Sequence, residues 1–552
     1  MSSHKTPSPT NNLVSPLLTD LYQITMVYSH WKNDRHNDEA VFELFFRKNP
    51  FRGGYTVFAG LDECLKHLSN FKFSESDLAY LRNIPSLSHC DPSFFDEYLS
   101  NLDCSKLQVF ALQEGTITFP KVPLLTIVGP LGIGQLIETT LLNLVNFPSL
   151  IATNACRMVV AARGGSIRDK SSVDSKHKFP LMAEFGLRRS QGPDGGFTAS
   201  KYSVLGGFDA TSNVQAGKML GIPVVGEEIL FHFEVMRNIY YSLKHNYLQF
   251  SLLLSTGTNA HAYVQSYISL DEVKDVSLES KDGKEKIQLL PKILSYRNFF
   301  LQDDLLWSHT NDGELAAFIS YASAFPDSFA CIVDTYDTIK SGVRNFILVS
   351  LVLDDLGYEP RSIRLDSGDL AALSIEAFNL FNQIALSCNR PFLKNIDIVA
   401  SNDLNESRLH DLNKKGHAIT IYGIGTNLVT CQEQPALGCV YKLVELDGKP
   451  RMKLSNEIEK VLIPGCKCPY RLFGKNGEPL IDLMIGKNED NLPVADKKIL
   501  CRHPFVGQKR VYAIASNVQN LHQLVFDKEK GVVIQMKGIQ EAKNVSQCIQ
   551  KS

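Results

Sequence analysis

The chain has no surplus of charge of either sign. It carries 57 Lys and Arg against 59 Asp and Glu, a formal net charge of -2 at pH 7. That balance excludes the basic footprint of a nucleic-acid binder and the charge excess of a disordered chain. No GxxxxGK[ST] sequence occurs, so a P-loop nucleotide site is excluded. There is no paired CxxC: the 12 cysteines are scattered from Cys64 to Cys548, and only Cys466 and Cys468 sit close together, as a CxC. Tetrahedral zinc needs four converging ligands, so the cysteines read as free thiols in a reducing cytosol. Residues 1–16 are rich in Ser, Thr, Asn and Pro, lack the apolar core of a signal peptide, and read as a disordered tail. No internal repeat is visible, and nothing in the composition points to a membrane partner.

What is present is a globular composition, 44% hydrophobic, in a chain of 552 residues that exceeds one ordinary domain. Residues 17–150 mix short helical and strand-like runs, including 40–46 and the Gly/Pro-punctuated stretch 109–129, and read as an α+β domain. Residues 151–434 alternate apolar strands of four to six residues with amphipathic helices, the signature of repeated βα units. The clearest strands are 330–333, 362–365, 396–400 and 419–422; a helix-like segment follows each of the first three, and the tight turn Gly423-Ile424-Gly425-Thr426 follows the fourth. Beyond 435, strand-like segments such as 440–446 suggest a smaller C-terminal domain over 435–552. The expected fold is therefore α/β: an irregular βα barrel over 151–434, an N-terminal α+β domain and a smaller C-terminal domain.

Polar residues gather where the barrel strands end: Asp334 after the first, Arg364 and Asp366 around the second, Ser401 and Asn402 after the third, Thr426 after the fourth. In a βα barrel these ends share the face that carries the active site. Any one Asp, Ser or Asn there could instead cap the following helix. A second dense stretch is Glu184-Phe185-Gly186-Leu187-Arg188-Arg189, followed by Gln191-Gly192-Pro193-Asp194-Gly195-Gly196. Paired arginines beside a Gly-rich turn suit phosphate oxygens, although such pairs more often lie on a solvated face. A third, Leu205-Gly206-Gly207-Phe208-Asp209-Ala210-Thr211-Ser212-Asn213, reads as a strand end turning into a helix with a polar cap.

The order of these motifs resembles the nicotinate phosphoribosyltransferase family over roughly residues 15–475. The resemblance includes Leu18-Thr19-Asp20-Leu21-Tyr22-Gln23, Phe42-Glu43 with Phe46-Arg47-Lys48-Asn49-Pro50, and the Glu184 and Gly206 motifs. It continues through Gly257-Thr258-Asn259-Ala260-His261, Asp334-Thr335-Tyr336-Asp337, Arg364-Leu365-Asp366-Ser367-Gly368-Asp369, Gly423-Ile424-Gly425-Thr426 and Arg451-Met452-Lys453-Leu454.

The resemblance implies an enzyme that joins nicotinate to phosphoribosyl pyrophosphate (PRPP), making nicotinate mononucleotide and pyrophosphate for NAD biosynthesis. It implies a cytosolic homodimer whose sites are shared between subunits, with small-molecule substrates and no nucleic-acid or membrane partner. Tyr22 of one subunit and Phe185 of the other would stack the pyridine ring. Thr258 and Arg364 would complete the nicotinate contacts. Thr426, Gly423, Gly425, Ser401 and Asn402 would cradle the 5-phosphate, while Arg47, Arg188 and Arg189 would neutralise pyrophosphate as it leaves. Asp366 would fix the ribose hydroxyls or bind Mg²⁺ (or Mn²⁺). ATP would be a co-substrate, transiently phosphorylating His261.

The chain departs from the family at one place. By the resemblance, Gly221-Ile222-Pro223-Val224 should lead almost directly to Gly257-Thr258, yet residues 225–256 intervene. Six of these 32 residues are Phe or Tyr, and Glu234, Arg237 and Lys244 leave no uncharged run long enough for a membrane span. Two alternatives to nicotinate transfer follow: an enzyme preferring nicotinamide, or an isoform whose catalysis the insertion impairs.

Overall fold

The computed structural model describes residues 9–168, 179–225, 259–457 and 460–534. The chain divides into two compact units, one of residues 1–154 with 431–552 and the other of residues 155–430. In chain order, the N-terminal segment supplies β1 (Glu39–Phe46), β2 (Gln108–Ala111) and β3 (Pro123–Pro130). The middle supplies β4 (Leu181–Glu184), β5 (Ala210–Thr211), β6 (Ala330–Ile332), β7 (Ser362–Leu365), β8 (Asp397–Ala400) and β9 (Ile421–Ile424). The C-terminal segment supplies β10 (Cys439–Leu446), β11 (Lys449–Pro450), β12 (Lys467–Phe473), β13 (Pro479–Gly486), β14 (Lys498–Arg502), β15 (Arg510–Ile514), β16 (Asn517–Asn520), β17 (Gln523–Asp527) and β18 (Gly531–Val532).

In the first unit, an antiparallel sheet runs β11-β10-β1-β3-β2-β17-β18 among the described residues. β10, expected to open a separate C-terminal domain, pairs with β1 across the register Ala40↔Leu446 to Phe46↔Cys439. β1 has seven buried residues out of eight, because it is covered on both sides. Smaller antiparallel groups, β13-β12-β16, β14-β15 and the pairing of Thr56–Val57 with Ile117–Thr118, belong to the same unit. Helix Glu138–Ala161 is apolar and long enough to cross a membrane, but 67% of its most apolar window is buried inside the protein, which marks it as a core helix.

The second unit holds a parallel sheet, ordered β6-β7-β8-β9-β4-β5 among the described residues. An isolated parallel bridge from Thr211 to Val224 extends its β5 edge, so of the strand-like residues 221–224 only Val224 pairs. Buried on both faces, these strands are short apolar runs without alternation. Helices Val343–Asp355, Leu370–Ser387 and Glu406–Lys415 follow β6, β7 and β8 in turn. The first of these is buried from Val343 through Leu353. The α/β class and the alternation agree with expectation, while the described strands form an open sheet.

Two local readings need correction. β9 is Ile421–Ile424, so Gly423 and Ile424 belong to the strand and Thr426 begins a short helix, Thr426–Thr430. The strand begins at Ile421, two residues later than expected, because it pairs with β4 from Ile421↔Leu181 to Ile424↔Glu184. Leu205 closes helix Gly192–Leu205 instead of ending a strand; the strand here is the two-residue β5, and Asn213 caps the next helix, Val214–Leu220. The insertion expected at 225–256 lies, apart from Val225, outside the described residues.

One buried ion pair fixes the first unit's sheet. Lys467 Nζ meets Glu43 Oε2 at 2.9 Å and donates to the carbonyls of Ile463 at 2.6 Å and Gly465 at 2.7 Å. The Lys467 amide also donates to Glu43 Oε1 at 3.1 Å. Burial pushes the Glu43 carboxyl up to about 7, against the pull of Lys467. A raised carboxyl favours the protonated fold, so its contribution is full at low pH and falls as pH rises through about 7. Removing the ammonium by Lys467→Met sharpens this dependence. The expected loss is about 3–5 kcal/mol at pH 8, where the carboxylate is stranded, and clearly less at pH 5.5. Urea melts at the two pH values check it; an equal loss at both would contradict the account.

Candidate active site

The strand-end residues had two readings, and the helix caps bear on the first of them. Asp337 accepts from the Lys340 amide, Asp369 from the amides of Ala371 and Ala372, and Asn405 from the Arg408 amide. The segments after β6, β7 and β8 are thus capped by residues further along the chain. Asp334, Arg364, Asp366, Ser401 and Asn402 are not spent on that task.

Arg364 lies on β7 and is only 4% exposed. Its Nε donates to Ser401 Oγ at 2.9 Å, its second terminal nitrogen pairs with Asp366 Oδ2 at 3.2 Å, and Ser401 Oγ donates to Asp366 Oδ1 at 2.7 Å. The parallel register, Arg364 opposite Val399 and Leu365 opposite Ala400, brings the ends of β7 and β8 level and closes this triangle. Burial pulls the guanidinium below its ordinary pKa; Asp366 opposes that and the charge of Arg188 adds to it. Arg188 is therefore electrostatically coupled to Arg364, although the two are far apart in sequence. The turn after Ser401 is backbone-strained: Asn402 has φ 128° and Asp403 φ 44°. Such non-glycine conformations cost about 1–3 kcal/mol each and concentrate at functional sites.

The neighbouring strand, at the edge of the sheet, carries a second cluster. Asp334, just past β6, has a carboxylate 1% exposed. Its Oδ2 accepts from the Asp366 amide at 2.9 Å and from Ser367 Oγ at 2.6 Å. Its Oδ1 makes no hydrogen bond and lies 3.9 Å from His261 Nε2. His261 Nδ1 is 3.0 Å from Thr335 Oγ1. Two residues earlier, buried Asn259 accepts from the Ile332 amide at 3.0 Å and so ties the histidine's segment to the edge of β6.

On the other side of the sheet's centre, the turn after β4 continues the ladder, with the Phe185 amide donating to Ile424 O at 2.8 Å. Phe185 is 7% exposed and packs with Ala183, Ala210, Val399 and Ile421. A Cβ on Gly423 would stand 2.3 Å from the Phe185 ring, so that glycine is demanded by close approach, and one on Gly425 would stand a tight 3.0 Å from the Phe185 carbonyl oxygen. Arg188 and Arg189 are exposed on the short helix Leu187–Arg189, and an Arg189 terminal nitrogen donates to Thr426 Oγ1 at 3.4 Å.

The second unit thus brings Arg364, Asp366, Ser401 and His261 into one chain of contacts through Asp334. It links Phe185, Gly423, Gly425, Arg189 and Thr426 in another. Tyr22, 50% exposed on helix Leu21–Lys32, and Arg47, whose amide donates to Gly438 O at 2.9 Å, belong to the first unit. Thr258 lies outside the described residues. Residue-by-residue reasoning gave no role to Asp334 beyond its place at a strand end, and none to Thr335, Ser367 or Glu184; the signal for Asp334 and Thr335 was the motif Asp334-Thr335-Tyr336-Asp337 itself. Among the described residues, no three His, Cys, Asp or Glu side chains converge to hold a metal ion.

A parallel sheet whose strand ends carry a buried arginine tied to Asp366 and Ser401, a strained turn and a paired-arginine loop has the chemistry to receive anionic, phosphate-bearing ligands. Comparison with known proteins narrows this. Residues 17–146 match the model of the nicotinate phosphoribosyltransferase N-terminal domain and residues 466–551 that of the C-terminal domain. Nicotinate phosphoribosyltransferase 1 of Arabidopsis thaliana is 48% identical over 93% of this chain and 84% of its own length. The Caenorhabditis elegans nicotinate phosphoribosyltransferase is 46% identical over 97% of this chain and 87% of its own. The crystal structure of human nicotinic acid phosphoribosyltransferase superposes with a TM-score of 0.77 at 35% identity, covering 96% of this chain and 93% of that one. A nicotinate-nucleotide pyrophosphorylase from Pyrococcus furiosus, 16% identical with a TM-score of 0.57, shares the fold. The chain belongs to the nicotinate phosphoribosyltransferase family.

The contact of Gly423 with Phe185 yields a direct test. Gly423→Ala should push the ring off its seat, costing about 1–3 kcal/mol as an overpacked core site does. Thermal melts and nicotinate kinetics should shift together, and native values of both would show that the ring relaxes freely.

Proposed function

We propose that the chain catalyses attack of the nicotinate ring nitrogen on C1 of PRPP, giving nicotinate mononucleotide and pyrophosphate for NAD biosynthesis. One C–N bond forms as the C1–O bond breaks, and the electron pair leaves with pyrophosphate. The observation that carries this reading is the Arg364-Asp366-Ser401 triangle: a buried, oriented guanidinium suited to the planar carboxylate of nicotinate. Phe185 supplies one face of a ring stack and Tyr22, from the partner subunit of a homodimer, the other. Thr258 joins the nicotinate contacts. Thr426, Gly423 and Gly425, with Ser401 and Asn402 across the sheet, take the 5-phosphate. Arg47, Arg188 and Arg189 face the leaving pyrophosphate, whose growing charge preorganised cations stabilise. A magnesium ion would be held chiefly by pyrophosphate oxygens, with Asp366 as a carboxylate within reach of the ribose, and it would supply further neutralisation of that charge.

ATP enters the same scheme as co-substrate. His261 Nδ1 is engaged by Thr335, which leaves Nε2 as the nitrogen for attack on the terminal phosphorus of ATP. ADP leaves with the electron pair of the broken P–O bond, and water later releases phosphate from the histidine. Support for a barrel comes from the two ends of the sheet: Val224 bridges beyond β5, and Asn259 occupies the free edge of β6. We place the reaction in the cytosol, in keeping with the 11 free cysteines among the described residues.

The test is an assay of purified protein with nicotinate, nicotinamide, PRPP and Mg²⁺, with and without ATP. Arg364→Ala should lower nicotinate kcat/KM by about 10- to 150-fold, the equivalent of about 1.5–3 kcal/mol for one charge-assisted contact, while circular dichroism stays native. An unchanged kcat/KM would remove Arg364 from the site.

His261→Ala should abolish ATP stimulation and the acid-labile phosphoprotein while some ATP-independent transfer persists. Full coupling of ATP hydrolysis to product in that variant would rule out the phosphohistidine.

A further inference from the structure

Glu184 ends β4 directly before the Phe185–Arg189 turn and is fully buried. Among the described residues no cation pairs with it, so its charge is not neutralised in the usual way. It is held by hydrogen bonds from three different elements. The Gly186 amide donates to Oε1 from within the turn. Ser200 Oγ, on helix Gly192–Leu205, donates to Oε2 at 2.8 Å. Thr211 Oγ1, on β5, donates to the same oxygen at 2.6 Å. The two hydroxyls are themselves fixed by Asn213, whose amide donates to Thr211 Oγ1 at 3.0 Å and whose side-chain nitrogen donates to Ser200 Oγ at 3.2 Å.

A simpler sequence would place an apolar residue at this position, as Ala183 does on the other face of the same strand. The carboxylate achieves something an apolar residue cannot. The turn's one glycine, Gly186, is pressed against its neighbour, a Cβ there standing 2.3 Å from Val429, and Phe185 is the turn's one buried side chain. The turn's exposed end, Leu187 to Arg189, has no buried residue of its own. Burial pushes the carboxyl above its ordinary pKa, with Thr211, Gly186 and Ser200 pulling the other way.

We propose that Glu184 is the positioning residue of this enzyme's active-site turn: by fastening Gly186 to Ser200 and Thr211, it sets the placement of Phe185, Arg188 and Arg189. The inference rests on the roles given to those three residues above. Glu184 itself touches no substrate. It acts through hydrogen-bond geometry and not through its charge, so an amide of the same shape should serve. With Gln, one oxygen still accepts from Gly186, and Ser200 can turn its hydroxyl to the Gly196 carbonyl, 2.9 Å away, while accepting from the new amide.

The experiment compares Glu184→Ala and Glu184→Gln in the full-length protein by two readouts. Limited trypsin digestion reports on the turn directly, because Arg188 and Arg189 are exposed cleavage points whatever the catalytic state. Kinetics report on the consequence. Glu184→Ala should be nicked faster at these arginines and lose about a hundredfold in nicotinate kcat/KM, the scale of a 1 Å misplacement. Glu184→Gln should be nicked at the native rate and keep kcat/KM within about fivefold, since most hydrogen bonding survives. Ser374→Ala, which removes a buried hydroxyl from helix Leu370–Ser387, should lower the melting temperature without moving KM, separating plain destabilisation from mispositioning. Native nicking in Glu184→Ala overturns the proposal whatever the kinetics show. So does faster nicking with native KM and kcat, or a Gln variant as impaired as the Ala variant. A wild-type chain that makes no nicotinate mononucleotide counts against the assigned reaction instead, and the trypsin comparison still decides whether Glu184 fastens the turn.

Discussion

The site depends on one constraint: a guanidinium only 4% exposed must be held by polar partners. Arg364 meets that demand with Asp366 from its own strand's continuation and Ser401 from the next strand. The partners are reachable only in the observed register of β7 against β8, since a slip of one residue would send the guanidinium to the opposite face. The constraint then spreads. Asp366 is placed through its amide by Asp334, and Asp334 ends β6. Three adjacent strands are therefore aligned by polar contacts at their ends as well as by their ladder. A site that needs strand ends level to within an ångström has this alignment built into its own side chains.

Much of this was legible in the sequence, for a definite reason. Short apolar runs that are buried on both faces and bounded by polar residues can be located from hydrophobicity alone, and the runs at 330–333, 362–365 and 396–400 became β6, β7 and β8 to within a residue. What local pattern could not show was which polar residues cap helices. Asp, Ser and Asn look alike in both roles, and the distinction appeared only when Asp337, Asp369 and Asn405 were seen to hold the caps. β9 lies two residues later than expected because Gly423 reads locally as part of a turn, whereas tertiary packing uses it to admit the Phe185 ring. The part played by Glu184 is hidden in the sequence, since a buried carboxylate with hydroxyl partners 16 and 27 residues away leaves no local trace. The joining of β10 to β1 is equally invisible to composition, because pairing partners in a sheet need not be neighbours in sequence.

Close approach is the second theme. Gly423, Gly425 and Gly186 let the turn after β4 and the end of β9 approach closely, with the Phe185 ring seated on Gly423. The aromatic ring and the arginines beyond it are thereby carried on strand ends instead of on a long loop. Rigid elements hold functional groups more closely than loops do. The strained backbone at Asn402 and Asp403 belongs to the same economy: local conformational cost is accepted where a group must point in one direction.

The pairing of β1 with β10 bears on how the chain comes into being. On the ribosome, β1 can find β3 soon after both emerge, but its other neighbour is not made until all of residues 155–430 have been synthesised. Throughout that interval a strand with seven of its eight residues destined for burial offers an open edge, the feature that drives chains to pair with one another. The central unit, by contrast, is contiguous in the chain and is free to collapse as it appears. Biogenesis is thus the period of greatest hazard for this protein, and a message truncated just after residue 430 would yield an intact catalytic sheet attached to a permanently sticky one.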